Sequence, residues 1–537
     1  MIRLEILLLL ANIPSFLAAA GIPNEADVVV IGTGPGGSTA AGLLAEKRPD
    51  LTIVVLEAGT LDTTSNPDLR YTGNCLMSLT PEFAHTLWDF PSLPQPSAGN
   101  RSVPIQTGKA LGGGSGVNCG EWVRGTPGDI ESWNLPGWDR ATVHARFNLI
   151  EQRLGVSHLP AAPRLEALAK AWPVQQVARC NDWDAIGDMT NLNCRLEMSN
   201  LPGGTALRQT AFTAFLKPQL DAHPNRVHLC AGCTATRLMV DPTTKRATHV
   251  VYRTQDGQDR SIAVSKEVVL GAGPYGNPKL LMLSGIGPAV ELAKHGIEVV
   301  VDNAQIGENL HEHWGIFRTY NVSAELPGPV SDAERIENHH YAAQYMFGNF
   351  DTSKEHAYPD YHIIMVDAFR AAKGMPPLPT GPDSLMQLHG LQHPRTRGRV
   401  TLASADPADF PVVDLNMLSD PRDVEDLLAI NAVVQNVYAG MLTETFPQPF
   451  FPDAETAVRM TAGPTWHPSS TVRMGTSARD SAADPRMRVR GTANVRVADS
   501  SAFYAVTTGN TQATAYLMGA RAAEFIAQDA GGSRTEL

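Results

Sequence analysis

The sequence predicts an α/β fold in two parts. One part is a domain of parallel strands and helices assembled from distant segments; the other is a separate domain of strands and a long helix. Three observations predict it. A strand, glycine turn, helix and second strand follow one another within residues 26–57. The texture then changes between Asn321 and Pro464, where strand patterns (His362–Val366, Arg399–Leu402) share the stretch with a long helical one, Pro421–Tyr438. Near the C-terminus the first style returns, with a strand at Val495–Ala498 and a helix of small and apolar residues at Thr514–Ala527. That helix has the spacing to pack back on the first sheet, so the first domain is expected to be discontinuous.

The first unit carries the most chemistry. Ala26–Ile31 is short, β-branched and ends in glycine, which reads as a buried strand. Gly32, Gly34 and Gly37 form G-x-G-x-x-G ahead of a small-residue helix, Ser38–Glu46. Thr52–Leu56 reads as a second buried strand ending at Glu57, which falls twenty residues after Gly37. In a Rossmann-like unit the first glycine permits the tight turn, the second lets backbone approach a pyrophosphate, and the third lets helix and strand pack closely. A carboxylate at the end of the second strand accepts from ribose hydroxyls. A glycine turn with no ligand is the competing reading; strand, helix, second strand and acid in register favour dinucleotide binding. The motif does not separate FAD from NAD.

Leu61–Thr107 reads as loop-rich, and the run Gly108–Asn118 as irregular backbone able to approach an anion or an extended ligand. Leu111 and Val117 punctuate that run, and Trp122, Trp133 and Trp138 follow, which disfavours a floppy linker. Val227–Leu238 and His249–Arg253 read as strands. Glu267–Gly271 reads as another, running into Gly273-Pro274 and a helix at Pro278–Leu283.

The 537 residues suffice for several domains, and 43% hydrophobic with 18% charged residues is an ordinary globular balance that can bury sizeable cores. A net charge of −12 without any basic run argues against nucleic acid as a partner. Met1–Ala20 has Arg3, an apolar stretch Ile6–Leu17 and Ala18-Ala19-Ala20 before Gly21, the pattern of a secretory leader; Pro14 and the short length argue against a membrane span. Glu5 weakens the leader's basic region, leaving an apolar extension as the competing reading. No later segment is long and apolar enough to span a bilayer. Asn100 and Asn321 open glycosylation sequons. Six cysteines are too few for a disulfide scaffold; Cys180 and Cys194 flank a polar loop and are the expected bridge, while Cys230 and Cys233 suit buried thiols.

Together, the fingerprint, Asn118, Arg124-Gly125, Gly273-Pro274-Tyr275-Gly276-Asn277-Pro278, Ile306–Leu310, His467-Pro468-Ser469-Ser470-Thr471 and Arg496–Asp499 resemble the glucose-methanol-choline (GMC) oxidoreductases. The matches keep the family's order from about residue 26 to residue 527. The resemblance implies FAD, and an FAD domain made of residues 22–155, 201–315 and 465–537. Residues 1–20 would be the leader, 156–200 a connecting or substrate-domain segment, and 316–464 the substrate domain, with a mixed or antiparallel sheet flanked by helices. It also implies site residues. Gly32, Thr33, Gly34, Gly37, Glu57 and Ala58 would hold adenosine and pyrophosphate, with Thr234 by the adenine. Gly113, Ser115 and Asn118 would run beside pyrophosphate and flavin, and Asp499, Ser500, Thr511 and Gln512 near pyrophosphate and isoalloxazine.

His467 falls at the family's base and Asn510 at its partner position. The chemistry needs such a pair. Hydride leaves an alcohol carbon readily only as the hydroxyl proton is removed, and neutral imidazole is a suitable base. Asn510 orients the oxygen without titrating. Val117 stands where some relatives attach flavin covalently through histidine, so the FAD is expected to be non-covalent. Asn277 replaces the usual Ser or Thr of the second signature.

Two other constellations point elsewhere. His311-Glu312-His313 with His339-His340 suggests a metal, but the first three lie in a stretch that is structural in relatives, so no metal is expected. Gly112–Gly116 spells G-x-S-x-G without the preceding strand of a hydrolase elbow. The expected activity is a secreted FAD-dependent oxidase or dehydrogenase acting on an aryl or other small primary alcohol. The resemblance to fungal members suggests a setting in secondary metabolism, with oxygen or a quinone as acceptor. The alternatives are a cyclase or cyanohydrin-type lyase on the same fold, or a flavin binder without activity, which His467 disfavours. Oligomeric state is left open.

Overall fold

The computed structural model describes residues 21–158, 162–187, 189, 191–195, 197–199, 207–328, 342–348, 358–367, 384–447 and 450–529. The expected leader and His339-His340 lie outside the described residues.

The valine-rich run Glu25–Ile31 is a buried strand, paired in parallel with Ile53–Glu57 on one side and Asp259–Leu270 on the other. Val227–Ala231 adds in parallel beyond Ile53–Glu57, and Val495–Val497 in parallel beyond Asp259–Leu270. The strand Asp259–Leu270 is long enough to change partners. Its first half pairs antiparallel with Ala247–Arg253, which pairs antiparallel with Thr234–Val240; its last three residues take Val495–Val497. The parallel strands end level: Ile31 lies opposite Leu56 and Leu270, and Leu270 opposite Val497. Gly32, Glu57, Gly271 and Asp499 therefore gather at one edge, the carboxyl edge where open α/β sheets bind ligands.

Glycines set how closely the layers meet. A Cβ on Gly36 would stand 1.7 Å from the Ala498 carbonyl oxygen, and one on Gly519 would stand 2.2 Å from the Gly36 oxygen. The helix Pro35–Lys47 is thus wedged between a strand end and the C-terminal helix Gln512–Asp529, and closes the domain from opposite ends of the chain. Val28, Val29, Val54, Val55, Val269 and Leu517 are among the fully buried residues of this core, each stabilising by about 1.5–3 kcal/mol on burial.

A second, mixed sheet runs in the order Leu442–Phe446, Trp314–Val322, Ser384–Leu391, Tyr361–Asp367, Ala342–Gly348, Leu192–Arg195 and Gln175–Val177, antiparallel except for the last pair. The helix Pro421–Val437 packs on Ser384–Leu391. Pro421 opens it, and the Asp420 side chain accepts from Arg422 N; Val424, Leu427, Ile430 and Val434 form its buried stripe. The fold class expected from sequence is the one observed.

Several elements differ in detail. Val227–Leu238 is two strands, because Gly232 (φ 74°) turns the chain toward opposite ends of the hydrogen-bonded order. The turn also brings Cys230 and Cys233 within 5.6 Å (Cα–Cα), and they are disulfide-bonded rather than free thiols. Cys180 and Cys194 are bonded as expected, and Cys75 pairs with Cys119, a bridge the spacing did not suggest. Gly108–Asn118 is not wholly irregular. Gly112 and Gly113 take φ of 96° and 52°, after which Gly114–Val117 forms one helical turn. The helix expected at Pro278–Leu283 starts at Gly273. Pro278 lacks the N–H that would reach the Pro274 carbonyl, and Thr471 Oγ1 donates to that carbonyl instead, at 2.6 Å.

Candidate active site

The glycine edge forms the first half of the site. A Cβ on Gly32 would stand 2.2 Å from the Gly271 oxygen, one on Gly37 2.1 Å from the Gly32 oxygen, and one on Gly113 2.7 Å from Gly34 Cα. These three positions admit only glycine. Gly34 and Gly114 differ: a Cβ there would meet nothing nearer than 3.9 Å and nothing within 4 Å, respectively. The backbone at the start of the helix Pro35–Lys47 thus faces open space, the cradle that a pyrophosphate requires.

Glu57 is buried, and burial raises its pKa; Thr33 N and Oγ1 donate to one carboxylate oxygen at 2.8 and 2.7 Å, and Gly59 N to the other at 2.7 Å. Ala58 backbone also faces that carboxylate. Thr33 Oγ1 in turn accepts from Gly112 N at 3.1 Å, which ties the two glycine loops together. Cys233 N donates to the Glu57 carbonyl at 2.8 Å, setting Thr234 beside it at the head of its strand.

Asp499 is likewise buried and raised in pKa by burial. Its carboxylate accepts from Gly273 N (2.7 Å), Asn277 Nδ2 (2.8 Å), Ser501 N (2.9 Å) and Ser501 Oγ. Asn277 completes the knot: its Nδ2 also donates to Ser501 Oγ at 2.8 Å, and its Oδ1 accepts from Ala272 N at 2.9 Å. The Asn277 amide thus makes three bonds at a position where the family resemblance leads one to expect Ser or Thr. Ser500 Oγ donates to the Pro468 carbonyl at 3.1 Å, joining this knot to the His467 segment.

The glycine cluster meets the C-terminal loop through Asn118, whose Nδ2 donates to Gln512 Oε1 at 3.0 Å. Ser115 Oγ donates to the Gly112 carbonyl and accepts from Ala211 N. Thr511 precedes the helix Gln512–Asp529 and its carbonyl accepts from Ala515 N. Every residue named for cofactor contact thus lies along this edge or on the two loops against it.

His467 and Asn510 meet at its far end, with His467 Nε2 3.2 Å from Asn510 Nδ2. Asn510 Nδ2 also donates to Glu121 Oε2 at 2.8 Å. His467 is buried, and desolvation of its cation lowers its pKa to about 3, so the ring is a neutral base. Its Nδ1 edge faces Thr465 Oγ1 at 3.0 Å and His313 Nδ1 at 2.9 Å. Glu312, pushed up to about 8 by burial, accepts from the backbone N–H of His467 (2.7 Å) and of His313 (2.9 Å). The Asn510 loop is clamped in turn: Asp129 Oδ1 accepts from Thr508 N at 3.0 Å, and Gln392 Oε1 from Gly509 N.

Glu121, Thr465 and His313 are the residues that sequence reasoning missed here. His311-Glu312-His313 was visible as a cluster, yet its members separate. His311 Nε2 donates to the Pro394 carbonyl and its Nδ1 accepts from Val506 N, while His313 turns to His467. Among the described residues no group of three His, Cys, Asp or Glu is arranged to hold a metal ion. None of the described helices is long and apolar enough to cross a membrane.

Comparison with known proteins places these features. Family models described as GMC oxidoreductase match residues 27–315 and 394–519. An uncharacterized GMC-type oxidoreductase of Mycobacterium bovis is 30% identical, over 94% of this chain and 99% of its own length. An alcohol dehydrogenase [acceptor] of Pseudomonas putida is 27% identical, over 93% and 95%. The formate oxidase of Aspergillus oryzae shares the fold, with a TM-score of 0.81 at 23% identity, over 94% of this chain and 98% of that one. Matched nearly end to end, with a glycine cradle that fits a dinucleotide and a buried neutral histidine at the far end of the same edge, the chain belongs to the GMC oxidoreductases, and it is an FAD-dependent oxidoreductase.

Proposed function

We propose that the protein oxidises a small primary alcohol, aryl or aliphatic, to its carbonyl. The observation that carries this is the 3.2 Å contact between His467 Nε2 and Asn510 Nδ2, beside a ring that burial keeps neutral. An alcohol hydroxyl that replaces this contact donates to Nε2 and accepts from Nδ2. His467 then removes the hydroxyl proton as the carbon loses its hydride. Bound FAD supplies the hydride acceptor, so the alcohol loses two electrons, His467 holds one proton, and the product is a carbonyl. Glu312 fixes the backbone of the base, and Asp129 and Gln392 fix the loop of its partner. Trp466, 44% exposed and next to His467, has its ring 6.4 Å from that of Phe317; this aromatic pair supports an aryl substrate.

Thr33, Glu57, Gly113 and Asn118 would hold the FAD without a covalent bond, since Val117 offers no nucleophile. The described chain pairs all its cysteines, and both sequon asparagines, Asn100 and Asn321, are exposed. These features support passage through an oxidising secretory compartment. Oxygen or a quinone is the proposed terminal acceptor.

The test is anaerobic mixing of the FAD-loaded protein with aryl, allylic and aliphatic primary alcohols while the visible flavin band is followed. Bleaching by one class, lost in His467→Ala with FAD still bound, supports the reading. Recolouring in air then identifies an oxidase, and persistent bleaching a dehydrogenase. Bleaching by dithionite but by no alcohol would shift the assignment to a non-redox cyclase or lyase.

A further inference from the structure

We propose that Glu121 is a positioning residue, which sets the end of the Asn510 amide that faces His467 and thereby the imidazole nitrogen that carries the proton. Only its kinetic consequence rests on the oxidative reading above.

An amide has two ends of similar shape, one donating and one accepting. His467 alone does not choose between them. With its proton on Nε2 it would be served equally well by Asn510 Oδ1, and Thr465 Oγ1, 3.0 Å from Nδ1, is able to donate or accept. Glu121 breaks that symmetry, because a carboxylate only accepts. It takes one hydrogen of Asn510 Nδ2 at 2.8 Å, and the second hydrogen of the same nitrogen then points at His467 Nε2, 3.2 Å away. With Nε2 accepting, the ring proton sits on Nδ1, where Thr465 Oγ1 and His313 Nδ1 are both within reach. The lone pair is left on the nitrogen that faces the substrate hydroxyl.

Glu121 is itself fixed. It opens the short strand Glu121–Trp122, which pairs with Glu197–Met198, and Trp122 is fully buried. The Glu121 carbonyl accepts from Gln512 Nε2, so one residue grips the catalytic loop on both sides of Thr511. The reach is long in sequence, 389 residues between Glu121 and Asn510, and no motif announces it.

The tautomer is read directly by nitrogen NMR of the FAD-loaded protein labelled at histidine, with no alcohol present. His467 is assigned by the resonances that vanish in His467→Ala. The expected result is a protonated Nδ1 and an unprotonated Nε2. Glu121→Leu is expected to move His467 to the Nε2–H form or a mixture, and Glu121→Gln, which keeps an acceptor, to stay closer to wild type. A wild-type Nε2–H ring, or a Leu variant with the wild-type pattern, overturns the proposal. For the rate, Glu121→Leu is expected to lower the limiting rate of flavin bleaching by about tenfold, with alcohol affinity within about twofold. In an Asn510→Ala background the same change is expected to cost nothing further. A loss that persists undiminished there means a merely structural role and also overturns it. Should no alcohol bleach the wild-type flavin, the proposed activity fails while the NMR result still decides the role of Glu121.

Discussion

His313 Nδ1 lies 2.9 Å from His467 Nδ1, with the two rings at 84° to one another. Both rings are buried, and burial lowers both pKa values, so two neutral imidazoles share one proton along this edge. In the tautomer proposed above, His467 Nδ1–H donates, and His313 accepts. As His467 takes the substrate proton on Nε2, that bond becomes charge-assisted and strengthens. His313→Leu is therefore expected to slow flavin reduction by about tenfold, the worth of one such hydrogen bond. Thr465 Oγ1 remains as second acceptor, so His313→Leu with Thr465→Val is expected to lose more than either alone. Stopped-flow bleaching of the three variants checks it; equal rates in all of them would refute the shared-proton edge.

The acid limb of activity follows from the same burial. His467 acts as a base only while neutral, and desolvation sets its pKa at about 3 rather than 6.5. Protonation below that value inactivates the base; above it the base is ready. The profile of kcat/KM is thus expected to be flat from about pH 4 to about pH 6.5. An acid limb centred near the ordinary histidine value would show that the ring is hydrated in solution.

Asn277 and Asp499 give a prediction about cofactor retention. Asn277→Ala removes two donated bonds and leaves Ala272 N without its acceptor, a loss of about 2–4 kcal/mol. Asn277→Ser retains one hydroxyl and is expected to lose less. Denaturant melts and the FAD content of purified protein measure both, and an Ala variant as stable as wild type would remove Asn277 from the knot.

Gly36 tests the wedge. Gly36→Ala would place a methyl 1.7 Å from the Ala498 oxygen and 2.9 Å from Asp499 Cα, both backbone atoms. Neither neighbour is the tip of a flexible side chain. The variant is expected to lose FAD or fail to fold, read by the flavin band and far-UV circular dichroism. A well-folded, yellow Gly36→Ala protein would mean that helix and strand end are not in contact.

Much of this architecture was legible because its signals are local. Strand, glycine turn, helix and Glu57 sit within one short stretch, and each residue type there answers a nearby steric or electrostatic demand. His467 was readable for a related reason, its fixed place before Pro468 and Thr471. The missing parts are those in which the demand comes from elsewhere in the chain. Gly36 looks like a spare residue of the glycine motif until Ala498 and Gly519 arrive on either side. Cys75 lies in a loop-rich stretch with nothing local to pair it to Cys119. The break in Val227–Leu238 was missed because β-branched residues resume soon after Gly232, at Thr234 and Thr236, and only the sheet order shows the chain changing edges.

The bridge Cys75–Cys119 closes a loop of 44 residues and is followed at once by Gly120 and Glu121. In the chain-entropy account a loop of that length is worth about 4 kcal/mol, against about 3 kcal/mol for one of the length closed by Cys180–Cys194. The difference in position matters more than the difference in length. Cys119 adjoins Asn118, whose amide donates to Gln512 at 3.0 Å, and lies two residues before Glu121, which holds Asn510. Releasing it loosens the segment that sets both. Cys75→Ala with Cys119→Ala is expected to lower stability and also to speed FAD loss and slow flavin reduction. Cys180→Ala with Cys194→Ala is expected to lower stability with a smaller effect on either rate. Denaturant titration, with flavin release and bleaching measured on the same samples, separates the two. Equal effects on catalysis would show that the first bridge acts through global stability alone.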